Sequence, residues 1–230
     1  MKICGLQKLT LLDYPEKVAC TVFTGGCNLR CPFCHNASLV TGASDAEEIP
    51  DKELFAFLKK RRGLLDGVCV TGGEPLLQPG LENFLRRVRE LGYLVKLDTN
   101  GCFPDRLKAL AGKGLIDFVA MDVKSSPEHY AEAVGRTGFD VSPVRESVEF
   151  LLSGRVDYEF RTTVVRGLHD EDILRGTALF IKGAKRYFLQ KFVDSGDLIG
   201  SGFSAFSDRE MKEFLKVVSP YVKTAALRGV

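Results

Sequence analysis

Three cysteines on one short loop are the residues best suited to chemistry in this sequence. Cys27, Cys31 and Cys34 form a CxxxCxxC motif within GGCNLRCPFCHN, directly after an apolar run. Three thiolates at this spacing can bind one metal centre. A four-iron cubane takes one ligand per iron, so its fourth iron would stay open for an exogenous ligand, as in a catalytic site. The alternative is a structural zinc site with His35 or Cys20 as fourth ligand.

A glycine-rich loop downstream offers a second set of ligand-binding groups. TGGEP at 71–75 contains Gly72 and Gly73, which let the backbone approach a ligand closely, and Glu74, whose carboxylate can bind an ammonium group. Taken alone, this motif predicts only a turn. Because it follows a strand-like run and a cysteine loop lies upstream, we interpret it as a binding loop.

The other cysteines show no ligand spacing. The chain has seven cysteines, and in a reducing compartment such a number indicates metal or redox chemistry before disulfides. Cys69 lies inside an apolar run and is expected to pack as a small hydrophobic side chain. Cys102 lies in another polar loop, and the sequence leaves its role open.

Alternating strand and helix patterns must position these loops. Apolar, β-branched runs alternate with runs of helical period, which is typical of βα units around a parallel sheet. The predicted strands are 18–24, 67–71, 93–99, 116–123, 156–165 and 186–192. The predicted helices are 51–62, 79–91, 105–111, 144–152, 170–181 and 208–218. No repeat or linker divides this pattern, so the sequence predicts an α/β fold in a single domain, 1–230, whose βα units form a parallel barrel or an open α/β sheet.

Loops that follow parallel strands lie on one face of such a fold. The loops 25–38, 72–78 and 100–104 carry the chemically capable residues and are therefore expected to converge on that face.

The strand predicted at 156–165 carries charges on one face. Asp157, Glu159 and Arg161 alternate with apolar residues, and burying these charges without partners would be costly. This face therefore either lines a polar cavity or lies at an exposed edge of the sheet.

Several segments resemble one known family. The CxxxCxxC loop, with an aromatic residue before its last cysteine, resembles the cluster loop of the radical S-adenosylmethionine (SAM) superfamily, and TGGEP resembles that superfamily's GGE motif. The opening GLQKLTLLDYPEKVACTVFTGGCNLRCPFCHN, LDTNG at 97–101, MDVK at 121–124 and RTTVVRGLHD at 161–170 are similar to activating enzymes of glycyl-radical proteins. Among these, the chain most resembles the activating protein of anaerobic ribonucleoside-triphosphate reductase.

The resemblance implies a partial, TIM-like (βα)6 barrel of the radical SAM type with one [4Fe–4S] cluster on Cys27, Cys31 and Cys34. In that family SAM chelates the open iron, and an electron from the cluster breaks a carbon–sulfur bond of SAM. The resulting 5′-deoxyadenosyl radical removes hydrogen from a glycine of the partner. The implied partners are a glycyl-radical protein, here an anaerobic ribonucleotide reductase, and reduced flavodoxin or ferredoxin as electron donor.

The resemblance also assigns residues to SAM binding. They are Phe33, Asn36, Gly72, Gly73, Glu74, Asp98, Asn100, Asp122, Lys124 and Arg161. Similarity to the pyruvate formate-lyase activases implies a monovalent cation on Asp98 and Asp122, with the backbone carbonyls of Thr99 and Ala120. A plain salt bridge or helix N-cap is the alternative for either acid. Lys124 would meet the SAM carboxylate or extend into solvent as an ordinary lysine at a strand end.

Several function classes are disfavoured. A net charge of +2 without a basic block argues against a dedicated nucleic-acid binder. No apolar stretch approaches a membrane span, and the short N-terminal apolar run does not match a signal peptide, so a cytoplasmic protein is expected. The short passage from Cys34 to the helix at 51 leaves no room for the ferredoxin-like insert of some activases. His129 and His169 have no triad-like neighbours, and we assign them no catalysis.

Two rival functions stay open. One is a radical SAM enzyme acting on a small molecule, such as a nucleotide precursor. The other is a zinc-bearing binding module without catalysis.

Overall fold

The computed structural model describes residues 1–42, 47–194 and 196–230. Eight strands form one open sheet in which the order of the strands is the order of the chain. They are β1 Ile3–Thr10, β2 Ala19–Thr24, β3 Gly67–Gly72, β4 Leu94–Thr99, β5 Phe118–Asp122, β6 Asp157–Val164, β7 Tyr187–Lys191 and β8 Ala225–Arg228. β1 pairs antiparallel with β2, whereas the pairs β2–β3, β3–β4, β6–β7 and β7–β8 are parallel.

Helices follow the strands in the manner of βα units. They are α1 Ala37–Thr41, α2 Asp51–Lys60, α3 Leu81–Glu90, α4 Pro104–Gly112, α5 Tyr130–Ala133, α6 Ser142–Leu152, α7 Glu171–Phe180 and α8 Asp208–Val218. The six predicted strands and six predicted helices are confirmed, and each strand from β2 to β7 is followed by at least one helix. β1, β8 and the short helices α1 and α5 were not expected from the sequence. Among the described residues, no helix is long and apolar enough to cross a membrane.

The chain forms two compact units that alternate along the sequence. The first comprises 1–28, 38–99 and 105–119, and the second comprises 29–37, 100–104 and 120–230. The prediction of a single domain stays a prediction.

The first unit is held together by apolar helix faces. In α3 the residues Leu81, Phe84, Leu85 and Val88 are buried, as the helical period of the sequence requires. The Phe84 ring meets Phe55 of α2 edge-on, with 5.6 Å between centroids.

The second unit uses polar caps and buried hydroxyl contacts besides its apolar core. Asp170 caps α7 by accepting a hydrogen bond from the Ile173 amide at 2.8 Å. Ser207 and Glu210 form a capping box at the start of α8. Inside the sheet, the Tyr187 hydroxyl donates to Thr162 at 2.8 Å, which links β7 to β6.

Candidate active site

In the first unit, three hydrogen bonds fix the backbone that leads into Cys27. The Gly26 amide donates to the Leu39 carbonyl at 2.7 Å, and the Gln78 side-chain amide donates to the Gly25 carbonyl at 2.6 Å. The Glu74 amide donates to the Gly26 carbonyl at 2.8 Å. These bonds fix the chain immediately before the first cysteine of the motif.

The two glycines of the TGGEP loop are needed for close packing. Gly72 has φ of +119°, and a Cβ atom there would collide with the backbone of Thr24. A Cβ atom at Gly73 would collide with the Gly26 carbonyl. The glycines therefore let the loop lie directly against the end of β2 and the short segment that leads from it to Cys27. Their contact with SAM stays a prediction.

Glu74 is fully buried and makes two hydrogen bonds through one carboxylate oxygen. Its Oε1 accepts from the Leu76 amide at 2.9 Å and from the Thr99 hydroxyl at 2.9 Å. The first bond caps the 3-10 turn Pro75–Leu77. Both bonds orient the carboxylate, whose interaction with the SAM ammonium group stays a prediction.

Asp98 forms a buried ion pair, the salt bridge that the sequence left open as an alternative, with a partner that no motif named. Its carboxylate accepts from the Lys96 ammonium group, and Lys96 is only 1% exposed. The Cys69 thiol lies 3.6 Å from Asp98 Oδ1 and 3.8 Å from Lys96 Nζ. Cys69 is fully buried in the core, as expected of a small hydrophobic side chain, but its thiol lies against the charged groups of Lys96 and Asp98 on β4. The sequence itself indicates this ion pair, since Lys96 and Asp98 are two residues apart and lie on one face of a strand.

In the second unit, the segment 29–37 is fastened at both sides of Cys31. The Arg30 amide donates to the Val134 carbonyl at 3.1 Å, and the Gly200 amide donates to the Pro32 carbonyl at 2.8 Å. The Cys34 amide donates to the Cys31 carbonyl at 3.1 Å, which closes a turn between these two cysteines. Cys31 is buried and Cys34 is half-buried.

Asp122, Lys124 and Arg161 are brought together as predicted site residues. Arg161 Nε donates to Asp122 Oδ1 at 2.9 Å, and Lys124 Nζ donates to Asp122 Oδ2 at 3.0 Å. Burial alone would raise the pKa of Asp122, but the two cations beside it hold that pKa well below its usual range. Asp122 is therefore a carboxylate at all physiological pH values. Since β6 lies between β5 and β7 in the sheet, the strand of Arg161 is not an exposed edge.

Lys124 lies in the field of two cysteines of the motif. Burial would lower the pKa of its ammonium group, but Asp122 and the charges of Cys31 and Cys34 raise it. Lys124 thus stays protonated. An ammonium group there can attract either thiolates or a ligand carboxylate.

His169 positions Lys124, although the sequence suggested no function for it. Its Nδ1 accepts from the Val165 amide at 3.1 Å, so Nε2 carries the proton and donates to the Lys124 carbonyl at 2.9 Å. Its ring meets the edge of buried Phe33 with 6.4 Å between centroids. His169 therefore joins the end of β6, the backbone of Lys124 and the aromatic residue before Cys34.

Glu159 and Arg228 form a second ion pair on the same face of β6 as Arg161. Glu159 is 1% exposed and accepts two hydrogen bonds from Arg228 of β8, at 2.7 and 2.8 Å. The guanidinium group also stacks 3.7 Å from the ring centroid of Phe188 on β7. Oppositely charged partners, Asp122 on β5 for Arg161 and Arg228 on β8 for Glu159, thus neutralise these two charges on the face that the alternation of β6 predicted.

The remaining predicted residues lie in turns of the second unit. Asn100 Oδ1 accepts from the Cys102 amide at 3.0 Å, an Asx turn that shapes its own loop, and the Ser147 hydroxyl holds the Gly101 carbonyl at 2.7 Å. Asn36 follows the cysteine motif in 29–37. The convergence of the three loops stays a prediction.

The donor set of the cysteine motif fits an iron–sulfur cluster. None of the seven cysteines is in a disulfide, so the thiols of Cys27, Cys31 and Cys34 are available as ligands. A cubane takes each thiolate on a different iron, so these three cysteines supply three of its four ligands.

Comparison with known proteins identifies the family. The radical SAM superfamily model matches residues 21–176. The chain belongs to the radical SAM superfamily. It is an enzyme, and the cofactors implied by this family are a [4Fe–4S] cluster and SAM.

Proteins with several different activities are similar to this chain in sequence. A Methanocaldococcus jannaschii protein with the provisional name glycyl-radical enzyme activating enzyme is 29% identical over 238 residues, covering 99% of this chain and 96% of its own. The pyruvate formate-lyase-activating enzyme of Clostridium pasteurianum is 30% identical over 60% of each chain. GTP 3′,8-cyclase of Aquifex aeolicus is 28% identical over 85% of this chain and 62% of its own.

Solved structures confirm the radical SAM fold. SuiB of Streptococcus suis bound to the precursor peptide SuiA aligns with a TM-score of 0.71 at 15% identity, over 91% of this chain and 48% of its own. A domain of pyruvate-formate lyase-activating enzyme from Bacteroides vulgatus aligns with a TM-score of 0.58 at 18% identity, over 71% of this chain and 99% of its own.

Proposed function

We propose that this radical SAM enzyme activates a glycyl-radical protein, specifically an anaerobic ribonucleotide reductase. The observation that carries the proposal is the similarity to the M. jannaschii activating enzyme along 99% of this chain and 96% of that protein. The similarity to pyruvate formate-lyase-activating enzyme supports the same class. The choice of ribonucleotide reductase rests on the sequence resemblance of the opening segment, LDTNG, MDVK and RTTVVRGLHD taken together.

In this proposal Cys27, Cys31 and Cys34 hold the cluster, which when reduced supplies the electron for SAM cleavage. Reduced flavodoxin or ferredoxin is the electron donor. The protein's own task is to place SAM. Lys124 binds the SAM carboxylate, with Asp122 and Arg161 fixing the ammonium group of Lys124 through the bonds described above.

The first test is anaerobic reconstitution with iron and sulfide, reduction with dithionite, and addition of SAM. We expect four irons per chain and formation of 5′-deoxyadenosine. Adding an anaerobic ribonucleotide reductase should then give the electron paramagnetic resonance signal of a glycyl radical on that partner. Colourless protein with one zinc per chain would overturn the radical chemistry.

A variant of the cysteine motif tests the ligand assignment. Cys31→Ala should abolish cluster assembly and SAM cleavage. Cys4→Ala, which removes a half-buried cysteine outside the motif, is the matched control and should keep both. SAM cleavage at the parental rate by Cys31→Ala would show that the ligand assignment is wrong.

A second candidate function is action on a small nucleotide, favoured by the similarity to GTP 3′,8-cyclase over 85% of this chain. The reduced enzyme would then consume GTP in the presence of SAM without a protein partner. Radical formation on the reductase with no loss of GTP would decide for the activase.

A further inference from the structure

The resemblance implies a monovalent cation beside SAM, bound by Asp98 and Asp122. The contacts of both carboxylates do not fit that cation. Each acid is already neutralised inside its own unit by a positively charged side chain of this chain.

In the first unit the partner of Asp98 is Lys96. The two residues lie on one face of β4, and Cys69 lies directly across from Lys96 on β3. Lys96 is 1% exposed and Asp98 13%, so water contributes little to the solvation of this pair. A buried ammonium group needs a carboxylate, and a cation that displaced Lys96 from Asp98 would leave its charge without that counter-charge. The Asp98 carboxylate is therefore held in its ion pair with Lys96.

In the second unit Asp122 faces two cations. Arg161 and Lys124 donate to different oxygens of its carboxylate at 2.9 and 3.0 Å. A third positive charge placed at Asp122 would be repelled by both of these side chains.

We propose that the Lys96 ammonium group replaces the monovalent cation of the resembled activases, so that this enzyme binds and cleaves SAM without any alkali cation. This inference rests on the proposed function, because SAM cleavage is its main readout. Lysine offers a compact point charge of the same sign as the cation, but tethered to β4 and independent of the salt around the protein.

The main experiment compares cations in the reconstituted enzyme. 5′-Deoxyadenosine formation and the SAM concentration dependence are measured in potassium, sodium and tetramethylammonium chloride at one ionic strength. We expect the same values in all three salts. A loss of about tenfold or more in tetramethylammonium that potassium restores in a saturable manner, as for linked binding sites, would overturn the proposal.

A variant identifies the residue responsible. In Lys96→Met the carboxylate of Asp98 loses its counter-charge, and potassium should now stimulate SAM cleavage. The double variant Lys96→Met/Asp98→Asn has neither charge and should show no such stimulation. Lys113→Met, which removes an exposed lysine paired with Glu82, is the control and should behave like the parent. Folded Lys96→Met without a potassium response would show that Lys96 does not replace the cation.

One further measurement separates this inference from the proposed function. Thermal unfolding of the SAM-free enzyme is recorded in potassium and in tetramethylammonium chloride. Equal unfolding temperatures support the inference even if no condition gives SAM cleavage, which would refute the proposed function alone. A saturable increase specific to potassium would refute the inference, because a bound cation stabilises the folded state.

Discussion

Replacing Arg228 by methionine tests whether the polar interior of the second unit depends on ion pairing. Arg228 gives Glu159 both of the hydrogen bonds described above, and Glu159 is 1% exposed. Methionine keeps an apolar stem that can cover the Phe188 ring but removes the charge. The substitution therefore isolates the loss of the counter-charge from the loss of packing.

The expected destabilisation is large for a substitution on a four-residue strand. Breaking a buried pair by removing one partner costs about 3–5 kcal/mol, because the other charge stays buried. The Arg228 side chain is 32% exposed, so water can partly solvate the vacated space. We therefore expect about 3 kcal/mol, the low end of that range, which corresponds to a fall of about 6–12 °C in Tm for a chain of this size.

The assay is urea unfolding followed by far-ultraviolet circular dichroism under reducing conditions. Glu159→Leu/Arg228→Met removes both charges and should recover most of the lost free energy of unfolding. Arg86→Met, which breaks an exposed pair with Glu82 on α3, should cost less than about 1 kcal/mol. A cost for Arg228→Met no greater than that of Arg86→Met would refute the reasoning.

Three further predictions concern buried polar groups of the second unit. Burial lowers the pKa of His169, so the free energy of unfolding should fall as the pH drops below 6.5. The substitution His169→Gln should remove this decline. It should also raise KM for SAM more than it lowers kcat. The Ser125 hydroxyl is buried and makes no hydrogen bond within the described part of the chain, so Ser125→Ala should stabilise the enzyme by up to about 1 kcal/mol in thermal unfolding. The depressed pKa of Asp122 means that its ion pairs contribute fully above pH 3.8 and are lost as the pH falls from there through the native pKa. The stability difference between parent and Asp122→Asn should therefore stay constant from neutral pH down to pH 3.8 and shrink below it in acid titration.

The strands and helices that the sequence predicted are those with strong periodicity and apolar faces. β2 and β3 are buried along most of their length, and β-branched residues mark them clearly. β1 and β8 were not predicted because neither has the continuous buried run of the inner strands. β1 is the first strand of the sheet and exposes Gln7, Lys8 and Leu9. β8 has four residues, and its most informative side chain is the charged Arg228.

Individual site residues could be named from motifs, but their partners could not. The cysteine and glycine motifs are short and local, so they can be read without the fold. Arg161 pairs with Asp122 and Arg228 pairs with Glu159 from other strands, at sequence separations of 39 and 69 residues. Lys96 is the exception, because its spacing from Asp98 is visible in KLD at 96–98.

The identity of strand order and chain order affects how the protein emerges from the ribosome. Each strand made after β1 can add to the edge left by the strand before it, without insertion between strands already formed. Until the next strand arrives, that edge is open to other nascent chains, and β8 is the last to be synthesised. We therefore expect chains truncated before residue 225 to aggregate during translation, with the unpaired edge of β7 as the point of association.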